Sequence, residues 1–250
     1  ILAQTLYITR RFASKLGDYP TAEVYGKESV ALFRELDDKR DLAWALRGFG
    51  GVYWDRNERE HSKPFITEAM ALFQEVGDKR GVLMILLDSA IDAFMNDEYA
   101  RGVTLINEHQ TLAHELDDVH FIGWGLAILG NGEFLQGNLD ESEKLLREGL
   151  MLIRPFGDTD GYIQCLEGLV AVTEKRRQPL RSARLWGATR HLYEISGLIP
   201  GEAWLHLVQE PTIASIRAQL DEAAFEAAYA EGHAMTIDEA IDYALKYSNG

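Results

Sequence analysis

Residues 41–78 read DLAWALRGFGGVYWDRNEREHSKPFITEAMALFQEVGD, and this stretch decides the fold. Apolar residues recur at helical spacing from Leu42 to Asp55, Arg56-Asn57-Glu58 interrupts them, and the pattern resumes from His61 to Val76. One unit is therefore two helices joined by a turn. The unit recurs in both directions along the chain. Leu6, Leu46, Leu86, Leu126 and Leu166 share one phase of a 40-residue period; Leu32, Leu72, Leu112, Leu152 and Leu192 share a second. Asp38, Asp78, Asp118 and Asp158 mark a third phase, and Glu28, Glu68, Glu108 and Glu148 a fourth. Four phases in one register identify an internal repeat.

The turns follow the same register. Gly17, Asn57, Asp97 and Gly137 stand at the first turn of successive units. The second turn carries Gly77-Asp78 and Gly157-Asp158, with Asp37-Asp38 and Asp117-Asp118 in the alternate units. Gly or Asp there ends one helix, and Asp caps the next. Small residues mark close helix approaches: Gly50, Ala90 and Gly130 in the first helix, and Ala22, Ser62, Gly102, Ser142 and Ser182 in the second. One hairpin cannot bury both of its apolar faces, whereas stacked hairpins share a continuous core. The predicted fold class is all-α.

Together with Tyr53, Ile66 and Ala69, the small-residue pattern resembles that of tetratricopeptide repeats across residues 1–196. HEAT-type repeats have the longer period seen here, against the usual ~34 residues of the tetratricopeptide unit, but the small-aromatic-Gly-Ala spacing favours the tetratricopeptide reading. That resemblance implies a right-handed superhelix of about five repeats, with a concave groove lined by the first helix of each hairpin. Residues 197–250 break the period at Leu198-Ile199-Pro200-Gly201 and again at Pro211. Helices are predicted over Ile213–Leu220 and Glu222–Glu231, with Gly232 as a C-cap; a Thr236–Glu239 capping box opens a last helix to about Tyr247. These are expected to be capping helices over the end repeat.

Composition narrows the function classes. Twenty-five Lys and Arg against forty Asp and Glu leave a net charge of −15, which opposes direct binding to nucleic acid or to an anionic membrane surface. The sequence has no apolar run long enough for a transmembrane helix. Its single cysteine, Cys165, precludes an internal disulfide and suits a reducing, cytoplasmic setting. The opening Ile1-Leu2-Ala3-Gln4 reads as the middle of a helix, as expected of a piece of a longer protein.

Catalytic chemistry is not evident. Gly48-Phe49-Gly50-Gly51 and the glycines between Gly123 and Gly132 lack the Gly-Lys-Ser/Thr of a phosphate-binding loop, and read as tight packing. Four glycines in one helix (Gly123, Gly125, Gly130, Gly132) make the fourth unit a candidate soft spot. His109, His114 and His120 do not share a helical face and read as surface or capping residues, so no metal site is expected. Asp88 and Asp92 are neighbours on one helix, read as polar groups lining a groove or pairing with arginine. No serine or cysteine pairs with a base. The expectation is a non-enzyme without cofactor.

Aligning Gly50 with the small position of the tetratricopeptide pattern projects Trp44, Arg47, Trp54 and Asp55 into the groove from the second unit. The third unit adds Met84, Leu87, Ile91, Phe94 and Met95 near Asp88, and the fourth adds Trp124, Asn131 and Phe134. The end units offer polar residues instead, Gln4 and Arg11 in the first and Glu167 and Glu174 in the fifth. An aromatic and methionine centre suits an amphipathic peptide or small apolar ligand. The competing reading is that residues 198–250 fold into the groove and cover it.

Two stretches carry a more specific resemblance: Ala183-Arg184-Leu185-Trp186-Gly187-Ala188, and the run Ala224-Phe225, Ala228-Tyr229, Glu231-Gly232, Glu239-Ala240. They resemble the C-terminal end of large bacterial ATP-binding regulators (maltose-activator-like and LuxR-like), in which a STAND-class NTPase precedes a tetratricopeptide region. The resemblance implies a sensor arm that binds a protein partner or small-molecule inducer and shifts an attached NTPase domain. The alternative is a stand-alone scaffold or adaptor that binds a peptide segment of a partner.

Overall fold

The computed structural model describes residues 1–200 and 204–246. Thirteen α-helices and no strand occur among them. Ten form successive hairpins: α1 (Leu2–Lys15) with α2 (Tyr19–Glu35), α3 (Lys39–Asp55) with α4 (Arg59–Val76), α5 (Lys79–Met95) with α6 (Tyr99–Glu115), α7 (Val119–Leu135) with α8 (Leu139–Ile153), and α9 (Thr159–Lys175) with α10 (Pro179–Ser196). A π-helical turn, Leu205–Gln209, then leads into α11 (Glu210–Gln219), α12 (Glu222–His233) and α13 (Ile237–Leu245). None of the described helices is long and apolar enough to cross a membrane.

Every corner of the repeats is built alike. Gly17, Asp37, Asn57, Gly77, Asp97, Asp117, Gly137, Gly157, Arg177 and Gly197 all have positive φ. Gly, Asn and Asp accept the left-handed conformation most readily. Arg177 does not, which is why the first turn of the fifth unit carries no sequence signal. After the corners between hairpins and at Gly17 an aspartate caps the next helix: Asp18, Asp38, Asp78, Asp118 and Asp158 each accept a bond from the backbone N–H three positions on, whereas Glu58, Glu98 and Asn138 make no such bond. Each such cap contributes about 1 kcal/mol.

The described chain divides into two compact units within α5, one of residues 1–86 with 197–200, the other of residues 87–196 with 204–246. In the first, Phe33, Leu46, Phe49, Phe73 and Ile85 anchor one apolar cluster. In the second, α7 packs against α6, α8 and α9, and is apolar on nearly all sides. Its glycines are packing positions: a Cβ at Gly125 would lie 2.8 Å from His109 Nδ1, and one at Gly130 the same distance from Leu146 Cγ. The second-helix small positions Ala22, Ser62, Gly102, Ser142 and Ser182 are all buried. Ser142 and Ser182 also use the close approach, each hydroxyl donating to a first-helix carbonyl, Gly130 O and Val170 O, at 2.7 Å.

The C-terminal helices pack on α8, α9 and α10. The Thr236–Glu239 capping box forms as read. Gly232 does not cap a helix; it lies inside α12, whose C-cap is Ala234. It is glycine because α12 crosses α10 at backbone contact: a Cβ there would lie 1.9 Å from Arg184 O, and one at Gly187 would lie 2.1 Å from Tyr229 O. Pro211, expected as a break, lies at the start of α11, directly after the π-helical turn. Gly201 and Tyr247 lie outside the described residues.

Candidate functional site

Of the nine residues expected to bind a ligand, Trp44, Arg47, Trp54 and Met84 belong to the first unit, and Asp88, Phe94, Trp124, Asn131 and Phe134 to the second. Two are core residues instead. Phe94 is 6% exposed, and its ring occupies the space that a Cβ at Gly102 or Gly132 would need. The helical phase places Phe94 on the first-helix face, but two glycines opposite open a hole that the ring fills. Asn131 is also buried, its amide donating to Gln164 O at 3.3 Å. The other seven are half-buried.

Trp44 and Trp124 have a structural task that the groove reading did not foresee. Each indole N–H donates to the aspartate that caps the first helix of the next hairpin, Trp44 to Asp78 Oδ2 at 3.1 Å and Trp124 to Asp158 Oδ2 at 2.8 Å. The same oxygen accepts from Arg40 in the first unit and bonds His120 in the second, at 2.8 and 2.7 Å. The other oxygen caps the helix by accepting from Gly81 or Gly161. One carboxylate thus joins the corner, the helix that starts there and the helix of the previous hairpin. Burial pushes the Asp78 carboxyl up, but the donors Gly81, Arg40 and Trp44 outweigh it and hold it below the ordinary carboxylate value.

Around that clasp α3 keeps an open face. Trp44, Arg47, Gly51 and Trp54 are spaced three or four apart, hence on one side of the helix, and all are half-buried. The Arg47 guanidinium lies 6.0 Å from the Trp44 ring centre, and that of Arg59 lies 5.8 Å from Trp54. A Cβ at Gly51 would meet nothing within 4 Å, so the middle of the stripe is bare backbone between the positions of the two tryptophans. The buried Trp54 Nε1 has no hydrogen-bond partner among the described residues.

In the second unit, part of the first-helix face is filled. Glu167 and Glu174 of α9, expected to project inward as polar ends, are buried beneath the π-turn and α11. The Glu167 carboxylate accepts from the Tyr193 hydroxyl and the Gln209 amide, and Glu174 accepts from Ser215 and Gln219. Burial drives the Glu167 carboxyl up to about 8, against the pull of Tyr193. Residues 205–219 occupy the face of α9. Asp88 and Asp92 are half-buried, Asp92 accepting from the Asn96 amide at 3.2 Å.

A comparison with protein-family models and curated proteins finds no match.

The histidines need one correction. His120 is a clasp residue, but His109, read as a surface or capping residue, is fully buried, and neither ring nitrogen has a partner. Burial lowers it to about 4, so it is held neutral, in the space that Gly125 leaves. A second arrangement was missed altogether. His191 and Glu194 on α10 and His233 on α12 offer three ligand atoms, all within 4.8 Å of one another. The His-x-x-Glu spacing on α10 was legible, but the third member is 39 positions from Glu194 and arrives only through the α10–α12 crossing.

Proposed function

We propose that this chain is a ligand- or partner-binding regulatory arm of a larger bacterial signalling ATPase or transcriptional regulator, and that the α3 face is its recognition surface. The observation that carries the reading is the half-buried stripe Trp44–Arg47–Gly51–Trp54 with open space over Gly51. Two indoles along the helix from bare backbone, with a guanidinium on one side, suit an apolar side chain or small apolar molecule whose polar end meets Arg47. The tetratricopeptide-like hairpins and the Arg184–Ala188 and Ala224–Ala240 stretches support attachment to an NTPase core. A scaffold that binds a partner peptide on the same face is the second reading. It differs in having no NTPase motifs in the same reading frame.

The test is a thermal-shift screen of metabolites and peptides against the wild-type chain and a G51F variant, which fills the open space without touching the core. A compound that raises Tm in the wild type and not in G51F supports the α3 face. A compound equally effective in both, with hydrogen-exchange protection confined elsewhere, overturns it.

A further inference from the structure

We propose that His191, Glu194 and His233 form a binding site for a zinc-class divalent cation that ties the last repeat to the C-terminal helices. Two imidazoles and a carboxylate are the ligand set that zinc and its neighbours prefer, whereas calcium and magnesium favour all-oxygen shells. The three donor atoms lie within 4.8 Å of one another before any ion is present. Tetrahedral zinc bonds of about 2.0–2.2 Å set donor atoms roughly 3.4 Å apart, so a pair at 4.8 Å must close by about 1.4 Å through side-chain rotation. Glu194 is exposed and can turn toward the ion, and His233 Nε2 already bonds its Oε2 at 2.9 Å.

The frame beneath the site is rigid, because ligands on two helices make a site only if the helices are fixed. Gly187 and Gly232 bring α10 and α12 into backbone contact. His191 lies one helical turn beyond Gly187, and His233 is the residue after Gly232. A shift of either helix is blocked by the crossing itself. The His233 ring is further held by Tyr229, stacked at 5.8 Å, and meets His191 edge-on at 5.3 Å. As the last residue of α12, His233 also places the ion at the negative end of that helix dipole. The fixed cation on this part of α10, Arg190, is engaged over Trp186 and Tyr193. Three protein ligands leave a fourth position for water or for a group from a partner.

Calorimetric titration of the metal-free chain with zinc chloride tests this, with H191A, H233A and H206A compared. His206 pairs with Glu210 on the surface and serves as the control for casual histidine binding. The expected result is one zinc per chain, bound at least tenfold more weakly by H191A and by H233A and unchanged in H206A, with Tm rising by roughly 5–10 °C at a hundredfold excess over Kd. Cobalt supplies a second readout: four-coordinate visible bands in the wild type, lost in H191A and weakened in E194Q, which keeps the side-chain shape. No saturable zinc binding, or equal affinity in the wild type, H191A and H233A, overturns the proposal.

Discussion

The clasp at Asp78 and the clasp at Asp158 are the same joint made twice, 80 positions apart, with one part exchanged. In both, an aspartate caps a helix with one oxygen and holds a tryptophan of the previous hairpin with the other. The third member is Arg40 in one and His120 in the other. Their surroundings differ as well. The Asp78 side chain is 4% exposed and Arg40 67%; Asp158 and His120 are 22% and 27%. The first clasp is a buried carboxylate answered by a solvated cation, the second a more open carboxylate answered by a ring wedged against Phe156 at 4.8 Å. The aspartate and tryptophan are constant because each meets a directional need, an N-terminal N–H and an indole donor. The third member varies because either a guanidinium Nε or an imidazole Nε2 reaches the remaining lone pair of that oxygen.

The largest effect should come from removing the shared carboxylate. D78A loses the cap and leaves the Trp44 indole without its acceptor, at a cost of about 3 kcal/mol. D158A, better hydrated, should cost about 2 kcal/mol. Urea unfolding of both variants checks the order, and equal losses would mean that burial does not separate the joints. Next come the glycines that receive the cap. A Cβ at Gly81 would lie 2.2 Å from the ring of Phe73, whereas one at Gly161 would lie 2.8 Å from Cγ2 of Ile153, a milder overlap. G81A should therefore lose about 2 kcal/mol and G161A under about 1 kcal/mol.

Smaller effects probe the third member and the charge. W44F and W124F each keep the ring and drop the donor, so each should lose about 1 kcal/mol by chemical denaturation. R40A removes an exposed partner and should cost well under about 1 kcal/mol, a loss that shrinks further in high salt. The Asp78 carboxyl is held below its ordinary value, so its contribution is present above the unfolded carboxylate range and fades as pH falls through the folded value. D78N should flatten the acid side of the stability profile. An unchanged acid limb would show that Asp78 is not the group being protonated.

The repeat, its corners and its caps were legible because each is a local demand repeated in register: an aspartate after a left-handed residue reads the same wherever it stands. What the helical phase could not show is what lies across the helix. Trp44 and Trp124 were placed on the first-helix face, but their indole partners come from the next hairpin. Phe94 turned into the core because glycines opposite made room, and His109 was buried for the same reason at Gly125. Gly232 was misread because a glycine near a helix end resembles a cap, whereas here it marks a crossing. The metal-ligand trio needed that crossing before its members could meet. The open space at Gly51 was invisible too, since glycine in a sequence reads equally as packing or as space.

Glu167 gives the folded chain a stored proton. Its carboxyl titrates near 8 beneath the π-turn and near the ordinary carboxylate value once unfolded. Melting the chain at neutral pH therefore releases that proton to the medium, and the heat absorbed depends on which buffer receives it. Because the folded pKa is the higher one, this site's contribution is complete below the unfolded value and drains away as pH rises toward 8.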